Sequence, residues 1–125
     1  MPLPPKSNHM VTLAEAGVLT ANYRKQVGTE AVKGGMFFKE ILEKIINQPG
    51  CVGLRYYYGW QENGTPALVL VGVDAQGRDI VRGILGDASW LCPPYCNEVN
   101  ALNYSKDTER LKPINLELTD AEQSK

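Results

Sequence analysis

The stretch CVGLRYYYGWQENGTPALVLVGVD, residues 51–74, decides the fold. In its first ten residues, apolar and aromatic side chains alternate with smaller or polar ones, and this period of two predicts a half-buried strand. The predicted core side holds Val52, Leu54, Tyr56, Tyr58 and Trp60, and the opposite side holds Gly53, Arg55, Tyr57 and Gly59. The run PALVLVGVD at 66–74 is apolar on both sides, which predicts a central strand.

Turn residues separate these strands and predict an antiparallel meander. Asn63 and Gly64 tolerate positive φ, so the two long strands are expected to form a hairpin. A second turn at 74–77 leads to a third, shorter strand at 78–81. The alternation in INLELT, residues 114–119, predicts one more strand.

Two helices are predicted before the sheet. Thr12 and Glu15 have the spacing of a capping box, and a helical pattern follows over 13–26. The apolar stripe of this helix is Leu13, Ala16, Thr20, Tyr23 and Val27. The second pattern lies in MFFKEILEKIINQPG, residues 36–50, with the stripe Phe38, Ile41, Leu42, Ile45 and Ile46.

The predicted fold class is therefore α+β: two N-terminal helices packed on a small antiparallel β-meander of three to four strands, with a Cys-containing C-terminal loop region. Residues 1–11 are predicted to be a proline-rich N-terminal arm in extended polyproline geometry. Residues 12–104 are predicted to be a single α+β domain. Residues 105–125 are predicted to be a C-terminal extension with one strand and then a frayed tail.

Composition narrows the classes of function. The 125 residues carry a formal net charge of −1, with lysines and arginines scattered among acids, so no nucleic acid partner is expected. No apolar run is long enough for a membrane span. The start MPLPPKSNHM lacks the apolar segment of a secretory signal, so a cytoplasmic location is predicted. In a reducing cytosol the three cysteines would stay thiols.

The loop SWLCPPYC, residues 89–96, raises three alternatives. Cys92, Cys96 and Cys51 supply three sulfurs for a metal site, with zinc as the ion and His9 as the remaining donor. Cys92 and Cys96 could also form a reversible disulfide, although thioredoxin-like chemistry uses a two-residue spacer and this spacer has three. In the third alternative the prolines set a rigid turn and the thiols pack as small apolar groups.

Aromatic residues are the other distinctive feature. Arg55 and Tyr57 share the side opposite the predicted core, and Trp90 and Tyr95 follow in the loop region; these four are the candidate interaction surface. Sequence motifs of known catalytic sites are absent, and the single histidine lies in the arm. The sequence therefore favours a role other than catalysis, with no cofactor.

The order of motifs resembles a family of small bacterial proteins with no assigned activity. The shared features are a QPGC turn before an RYY strand, then LVLVGVD, then a CPPYC loop followed by NALN, and together they span roughly residues 12–103. The resemblance implies that Cys51, Arg55, Asp74, Cys92 and Cys96 belong to a common pattern. It implies no catalytic residue, cofactor or substrate class.

These patterns favour a non-enzymatic interaction or self-assembly module. A small sheet whose strand 66–74 is apolar on both sides leaves a face or an edge for something else to cover. Either the segment from Gly83 to Tyr104 folds back over it, or a second copy of the chain or another protein covers it. The alternative function is a small metal-binding or thiol-redox protein that uses Cys92 and Cys96 with Cys51.

Overall fold

A computed structural model of the chain describes residues 3–28 and 30–104. Its elements in chain order are α1 (Leu13–Val27), β1 (Gly34–Met36), α2 (Lys39–Ile46), β2 (Cys51–Trp60), β3 (Pro66–Asp74), β4 (Leu85–Gly86) and β5 (Trp90–Cys92). Two helices combined with antiparallel sheets give the predicted α+β class. The extension at 105–125, with its predicted strand at 114–119, lies outside the described residues.

The described chain divides into two compact units. The first comprises residues 3–7 and 36–90, and the second comprises residues 8–35 and 91–104. The first unit thus contains α2, β2, β3, β4 and the beginning of the arm. The second contains α1 and the cysteine loop.

Helix α1 begins with the predicted capping box. The backbone N–H of Glu15 donates to Thr12 Oγ1 at 3.0 Å, and the backbone N–H of Thr12 donates to Glu15 Oε1 at 3.1 Å. Such reciprocal bonds satisfy N–H groups that a helix leaves unpaired at its start. The helix therefore begins at the residue that the sequence predicted.

The inner side of α1 differs from the predicted stripe. Tyr23 and Val27 are exposed, whereas Arg24 is only 2% exposed. Arg24 Nη1 donates to the backbone carbonyl of Leu102 at 2.5 Å, so the buried guanidinium holds the loop at 100–104 within the second unit. Hydrophobic periodicity alone could not find this contact, because it places charged residues outside.

The main sheet lies in the first unit and has the order β2-β3-β4. β2 and β3 are antiparallel, with Tyr56 opposite Leu70 and Arg55 opposite Val71. Since directly opposed residues point to the same face, Tyr56 and Leu70 share one face and Arg55 and Val71 the other. β3 is central, as predicted, and Leu70 and Val71 are buried on its two sides.

Helix α2 covers part of one face, hereafter the helix face. A Cβ placed on Gly86 of β4 would lie 3.3 Å from both Ile41 Cγ1 and Ile45 Cδ1, and Gly86 is paired with Leu70. Ile41 and Ile45 therefore pack over the middle of the sheet. The other face, which carries Arg55, is hereafter the cleft face.

The side chains predicted to form the core side of β2 are not buried. All five are exposed: Val52 56%, Leu54 38%, Tyr56 53%, Tyr58 82% and Trp60 79%. Length explains the difference, because an eight-residue helix is about 12 Å long and a ten-residue strand about 33 Å. Helix α2 therefore covers the sheet around Leu70 but does not reach the end of β2, where Trp60 is exposed.

The third strand also lies elsewhere than predicted. Residues 78–81 contribute only a single bridge, between Asp79 and Val73, and the strand that pairs with β3 is β4. Between them the chain turns, with the Gly83 N–H donating to the Ile80 carbonyl at 3.1 Å. Two further short strands, β1 and β5, pair in a two-stranded sheet where the sequence predicted loops.

Candidate functional site

The most exposed apolar surface of the first unit lies on the helix face of β2. We define the aromatic patch as Leu54, Tyr56, Tyr58 and Trp60. Within it the rings of Tyr56 and Tyr58 meet edge to face, with centroids 5.6 Å apart, a favourable arrangement of two aromatic rings. The patch thus presents an ordered row of side chains to solvent.

The same strand is the edge of its sheet. Among the described residues β2 pairs only with β3, so the backbone groups along its outer edge face away from the sheet. Its ten residues include neither proline nor lysine, which many proteins use to prevent edge pairing. A register shift between Cys51 and Gly53 interrupts only the beginning of the strand. Within residues 3–28 and 30–104, an exposed row of aromatics therefore lies beside a strand edge that no other described strand covers.

The cleft face carries a polar cluster of Arg55, Tyr57 and Asp79. Arg55 Nη1 pairs with Asp79 Oδ1, and the Tyr57 hydroxyl donates to Asp79 Oδ2. Arg55 Nη1 also donates to the Gly77 carbonyl at 3.3 Å. One carboxylate therefore fixes both candidate interaction residues of β2.

Charge and hydrogen bonding shift the pKa values of the cluster. The hydrogen bond from Tyr57, followed by the hydrogen bond and charge of Arg55, lowers the pKa of Asp79 below its ordinary value. The hydrogen bond to Asp79 in turn raises the pKa of Tyr57 and that of Arg55. At neutral pH the cluster therefore holds an ionised carboxylate, a guanidinium and a neutral phenol.

The N-terminal arm lies at this cluster. Residues 3–5, Leu-Pro-Pro, line an open cavity of about 730 Å³ together with Arg55, Tyr57, Asp79 and the neighbouring Arg78. All of these residues belong to the first unit. The cavity is within the size range of ligand sites in proteins.

Trp90, the third predicted interaction residue, lies in another place. It lines an open cavity of about 350 Å³ with Phe38 and Ile41, and Lys44 and Asp87 are at its border. Tyr95 is in the second unit, within the cysteine loop, where its backbone N–H donates to the Leu91 carbonyl at 2.9 Å. The four predicted residues therefore form one pair, Arg55 with Tyr57, and two separate positions.

The cysteine loop contains a disulfide. Cys92 and Cys96 are bonded to each other, with Cα atoms 4.7 Å apart. The predicted cytoplasmic location implied free thiols at these positions instead. The backbone N–H of Lys33 donates to the Cys92 carbonyl at 2.7 Å and attaches the loop to the chain before β1. Cys96 is exposed and Cys92 is half-buried.

Cys51 is the free cysteine of the described chain. Its thiol is half-buried and donates to the Gly53 carbonyl at 3.1 Å. Across residues 3–28 and 30–104 no group of three or more His, Cys, Asp or Glu side chains is arranged to hold a metal ion. The predicted set of Cys51, Cys92, Cys96 and His9 is therefore not assembled, and while bonded to each other two of its sulfurs are not thiolates.

Sequence reasoning missed the central member of the cluster, Asp79. Asp74 and Asp79 lie in and beside the turn at 74–77, where acids commonly cap backbone N–H groups. Asp74 does so: its Oδ1 accepts from the backbone N–H groups of Gln76 and Arg78 at 3.0 and 2.9 Å. Asp79 reaches Arg55 because it bridges Val73, which is opposite Gly53. The proximity of Asp79 to Arg55 depends on the register of the hairpin, which the sequence does not display.

Comparisons with known proteins add no assignment. No protein-family model, no curated protein and no solved structure matches the chain. The resemblance to a family of small bacterial proteins therefore stays a prediction. None of the helices among the described residues has the length and apolar character needed to span a membrane.

Proposed function

We propose that the chain is a non-enzymatic self-association module and that two copies meet through β2. The observation that carries the proposal is the aromatic patch, with Tyr58 82% and Trp60 79% exposed beside the outer edge of the same strand. The apolar run at 66–74 predicted an uncovered surface on that strand. Leu70 and Val71 of β3 are buried within one copy, whereas β2 carries the exposed aromatic side chains.

The size of the patch is sufficient for a specific contact. An aromatic side chain offers about 200 Å², so the exposed fractions of Tyr56, Tyr58 and Trp60, with that of Leu54, amount to about 500 Å². Two copies together offer about 1,000 Å² of patch, near the lower limit of specific interfaces. Patches that adjoin side by side bury part of this area, and the backbone hydrogen bonds of the paired edges add to the contact. A weak or moderate dimer is the expected result, because area alone does not set affinity.

The geometry of an edge strand favours a second copy as the partner. Two β2 strands related by a twofold axis would run antiparallel and extend each three-stranded sheet into one of six strands. Helix faces would then lie on the same side of the joined sheet, so the two aromatic patches would adjoin. Backbone hydrogen bonds at the edge would define the register, and the aromatic side chains would supply apolar burial.

Light scattering after size exclusion tests the proposal with a charged variant. The double substitution Tyr58→Lys, Trp60→Lys places two cations in the patch and is expected to leave a monomer at about 50 µM, where the unmodified chain is dimeric. The matched control is Gln76→Lys, which adds a charge in the turn after β3. Circular dichroism confirms that each variant is folded.

Hydrogen exchange distinguishes a second copy from a segment of the same chain as the partner that covers the edge of β2. If a second copy covers the edge, alternate backbone amides of β2 gain protection as the protein concentration rises. Protection that is the same at all concentrations would instead assign the edge to the chain's own predicted strand at 114–119 and would contradict the proposal. A monomer at concentrations up to about 500 µM would contradict it as well.

The disulfide favours a second candidate function, thiol redox chemistry. A dithiol reductant would attack the exposed sulfur of Cys96, displace the Cys92 thiolate and then release both thiols as its own disulfide forms. In the predicted cytoplasmic location such a bond would be transient. Equilibration in glutathione buffers tests this: reversible reduction near the cytosolic potential supports a redox role, whereas resistance below about −300 mV supports a structural bond.

A further inference from the structure

The arm is associated with the sheet rather than with the residues that follow it in sequence. Residues 3–7 belong to the first unit, whereas residues 8–35 belong to the second. The Leu-Pro-Pro sequence at 3–5 lines the cavity on the cleft face. Leu3 remains 41% exposed, so the arm forms one side of the cavity and leaves the cavity open to solvent.

The cavity has the chemistry of a site for proline-rich segments. Proline lacks a backbone N–H and has a fixed φ, so a Leu-Pro-Pro segment is already extended and loses little entropy when it binds. Proteins recognise such segments with grooves that contain exposed aromatic rings. Tyr57 supplies that ring, half exposed, and its hydroxyl is held by Asp79. Since Arg55 is held by the same carboxylate, the receptor side is organised before any ligand arrives.

The charge of the cavity does not suit the chain's own arm. Arg55 and Arg78 contribute two positive charges and Asp79 one negative charge, which leaves the lining with one excess positive charge. The arm continues from Pro5 into Lys6, a further positive charge. A ligand with an acidic residue at that position would complement the net positive lining, because opposite charges attract and like charges repel.

We propose that this cleft binds a Leu-Pro-Pro segment followed by an acidic residue, supplied by a different protein, and that the arm occupies the site until such a segment displaces it. The site uses the cleft face, so it does not depend on self-association through the helix face. The arm is tethered at an effective concentration of about 1 mM. A partner segment therefore has to bind more tightly than the arm to displace it.

Fluorescence anisotropy with two labelled peptides tests the proposal on the full chain. The peptide MPLPPESN differs from the arm sequence MPLPPKSN only by Glu in place of Lys6. We expect the Glu peptide to bind about fivefold more tightly at low salt, with the difference shrinking as salt is raised. Equal affinity for both peptides would overturn the assignment to a foreign acidic segment and would favour the arm of a second copy.

Variants of the arm and of the cleft complete the test. The double substitution Pro4→Gly, Pro5→Gly loosens the arm, so it is expected to strengthen peptide binding at least threefold by removing the competitor. Tyr57→Ala is expected to weaken binding at least tenfold, and Tyr57→Phe, which keeps the ring, to weaken it less. Tyr23→Ala removes a ring of similar exposure from α1 and is the matched control.

Two further results would overturn the proposal. The first is the lack of saturable binding to the loosened-arm variant at peptide concentrations up to about 1 mM, the effective concentration of the arm itself. The second is an equal loss of binding in Tyr57→Ala and Tyr23→Ala. Chemical shift changes at the amides of Arg55, Tyr57 and Asp79 provide a readout that remains informative if Tyr57→Ala fails to fold.

Discussion

At the scale of single residues, Asp79 determines the chemistry of the cleft face. Its two carboxylate oxygens engage different partners, Arg55 and Tyr57, which are neighbours on one side of β2. The carboxylate is mostly shielded from solvent, with 18% exposure, whereas Arg55 is about one-third exposed. Asp79 thus orients a charge and a ring that solvent can still reach.

Replacing Tyr57 by Phe is expected to raise the pKa of Asp79. The hydrogen bond from Tyr57 is the largest cause of the lowered pKa, and Arg55 alone remains in the variant. Because the pKa of folded Asp79 is depressed, the group stabilises the fold above its unfolded value near 4 and loses that contribution as pH falls through the folded value. In Tyr57→Phe this loss begins at a higher pH.

A second consequence of Tyr57→Phe concerns stability at alkaline pH. The raised pKa of Tyr57 stabilises the fold fully below about pH 10, and this contribution is lost as pH rises through the folded value. The Phe variant has no phenol to ionise, so it lacks this alkaline loss of stability. NMR titration of the Asp79 carboxyl carbon measures the first effect, and urea unfolding across pH measures both. Tyr56→Phe, on the helix face, is the control; an Asp79 curve unchanged in Tyr57→Phe would refute the expectation.

At the scale of elements, local signals predicted most of the fold. The capping box fixed the start of α1, the alternation at 51–60 gave β2, and the apolar run at 66–74 gave a central β3. The hairpin turn forms where it was predicted, with Gly64 at a φ of 88°. Asn63 contributes through its side chain and not through a positive φ: its Oδ1 accepts from both the backbone N–H and the hydroxyl of Thr65 at 3.1 and 2.7 Å. These features depend on neighbouring residues, which a sequence displays directly.

Features that depend on distant residues were not predictable. β1, β4 and β5 have two or three residues each, too few for a period to be visible. Burial of Arg24 and exposure of the aromatic patch depend on which other segment lies opposite. In the candidate site, Arg55 and Tyr57 were found because they share one side of a strand, whereas Asp79 and the arm arrive through tertiary structure.

The junction between α2 and β4 depends on the side chain of Gln48. Gln48 Nε2 donates to the Ile45 carbonyl at 2.8 Å, and its Oε1 accepts from the Ile84 N–H at 2.8 Å. A Cβ at Gly83 would overlap that Oε1 and lie 3.0 Å from Ile80 Cγ2. Gly83 therefore allows the close approach that both hydrogen bonds require.

Gly83→Ala is accordingly expected to lower the free energy of unfolding by about 1–3 kcal/mol, because Gln48 must move and lose its bonds. Gly53→Ala is the matched control: a Cβ there meets no atom within 4 Å, so a change within about 0.5 kcal/mol is expected. Urea unfolding with an unchanged m-value measures both variants. Equal stability of Gly83→Ala and the unmodified chain would show that Gln48 does not tie α2 to the chain before β4.

At the scale of the whole molecule, the two compact units differ in what holds them together. The first has the β2-β3-β4 sheet with α2, and its buried side chains include Ile45, Leu70, Val71 and Val73. The second contains α1, the buried side chains of Arg24, Ala101 and Tyr104, and the disulfide between Cys92 and Cys96. Both units therefore bury apolar side chains, and the second adds a buried guanidinium and a covalent link.

Reduction of the disulfide is expected to affect the two units unequally. The disulfide joins residues four positions apart in sequence. Because it restricts the unfolded chain, it raises the free energy of unfolding by about 2 kcal/mol in the loop-entropy account. Hydrogen exchange before and after reduction should therefore show lower protection for amides of α1 and of residues 97–104. Amides of β3 should keep their protection, because apolar packing within the first unit holds that strand.

The double variant Cys92→Ser, Cys96→Ser is the control for this experiment, since it lacks the bond without any reductant and should reproduce the reduced pattern. Cys51→Ser should leave the pattern unchanged, because Cys51 takes no part in the bond. A uniform loss of protection across both units would contradict this expectation. It would mean that the two units unfold cooperatively and that the disulfide stabilises the sheet as well as α1.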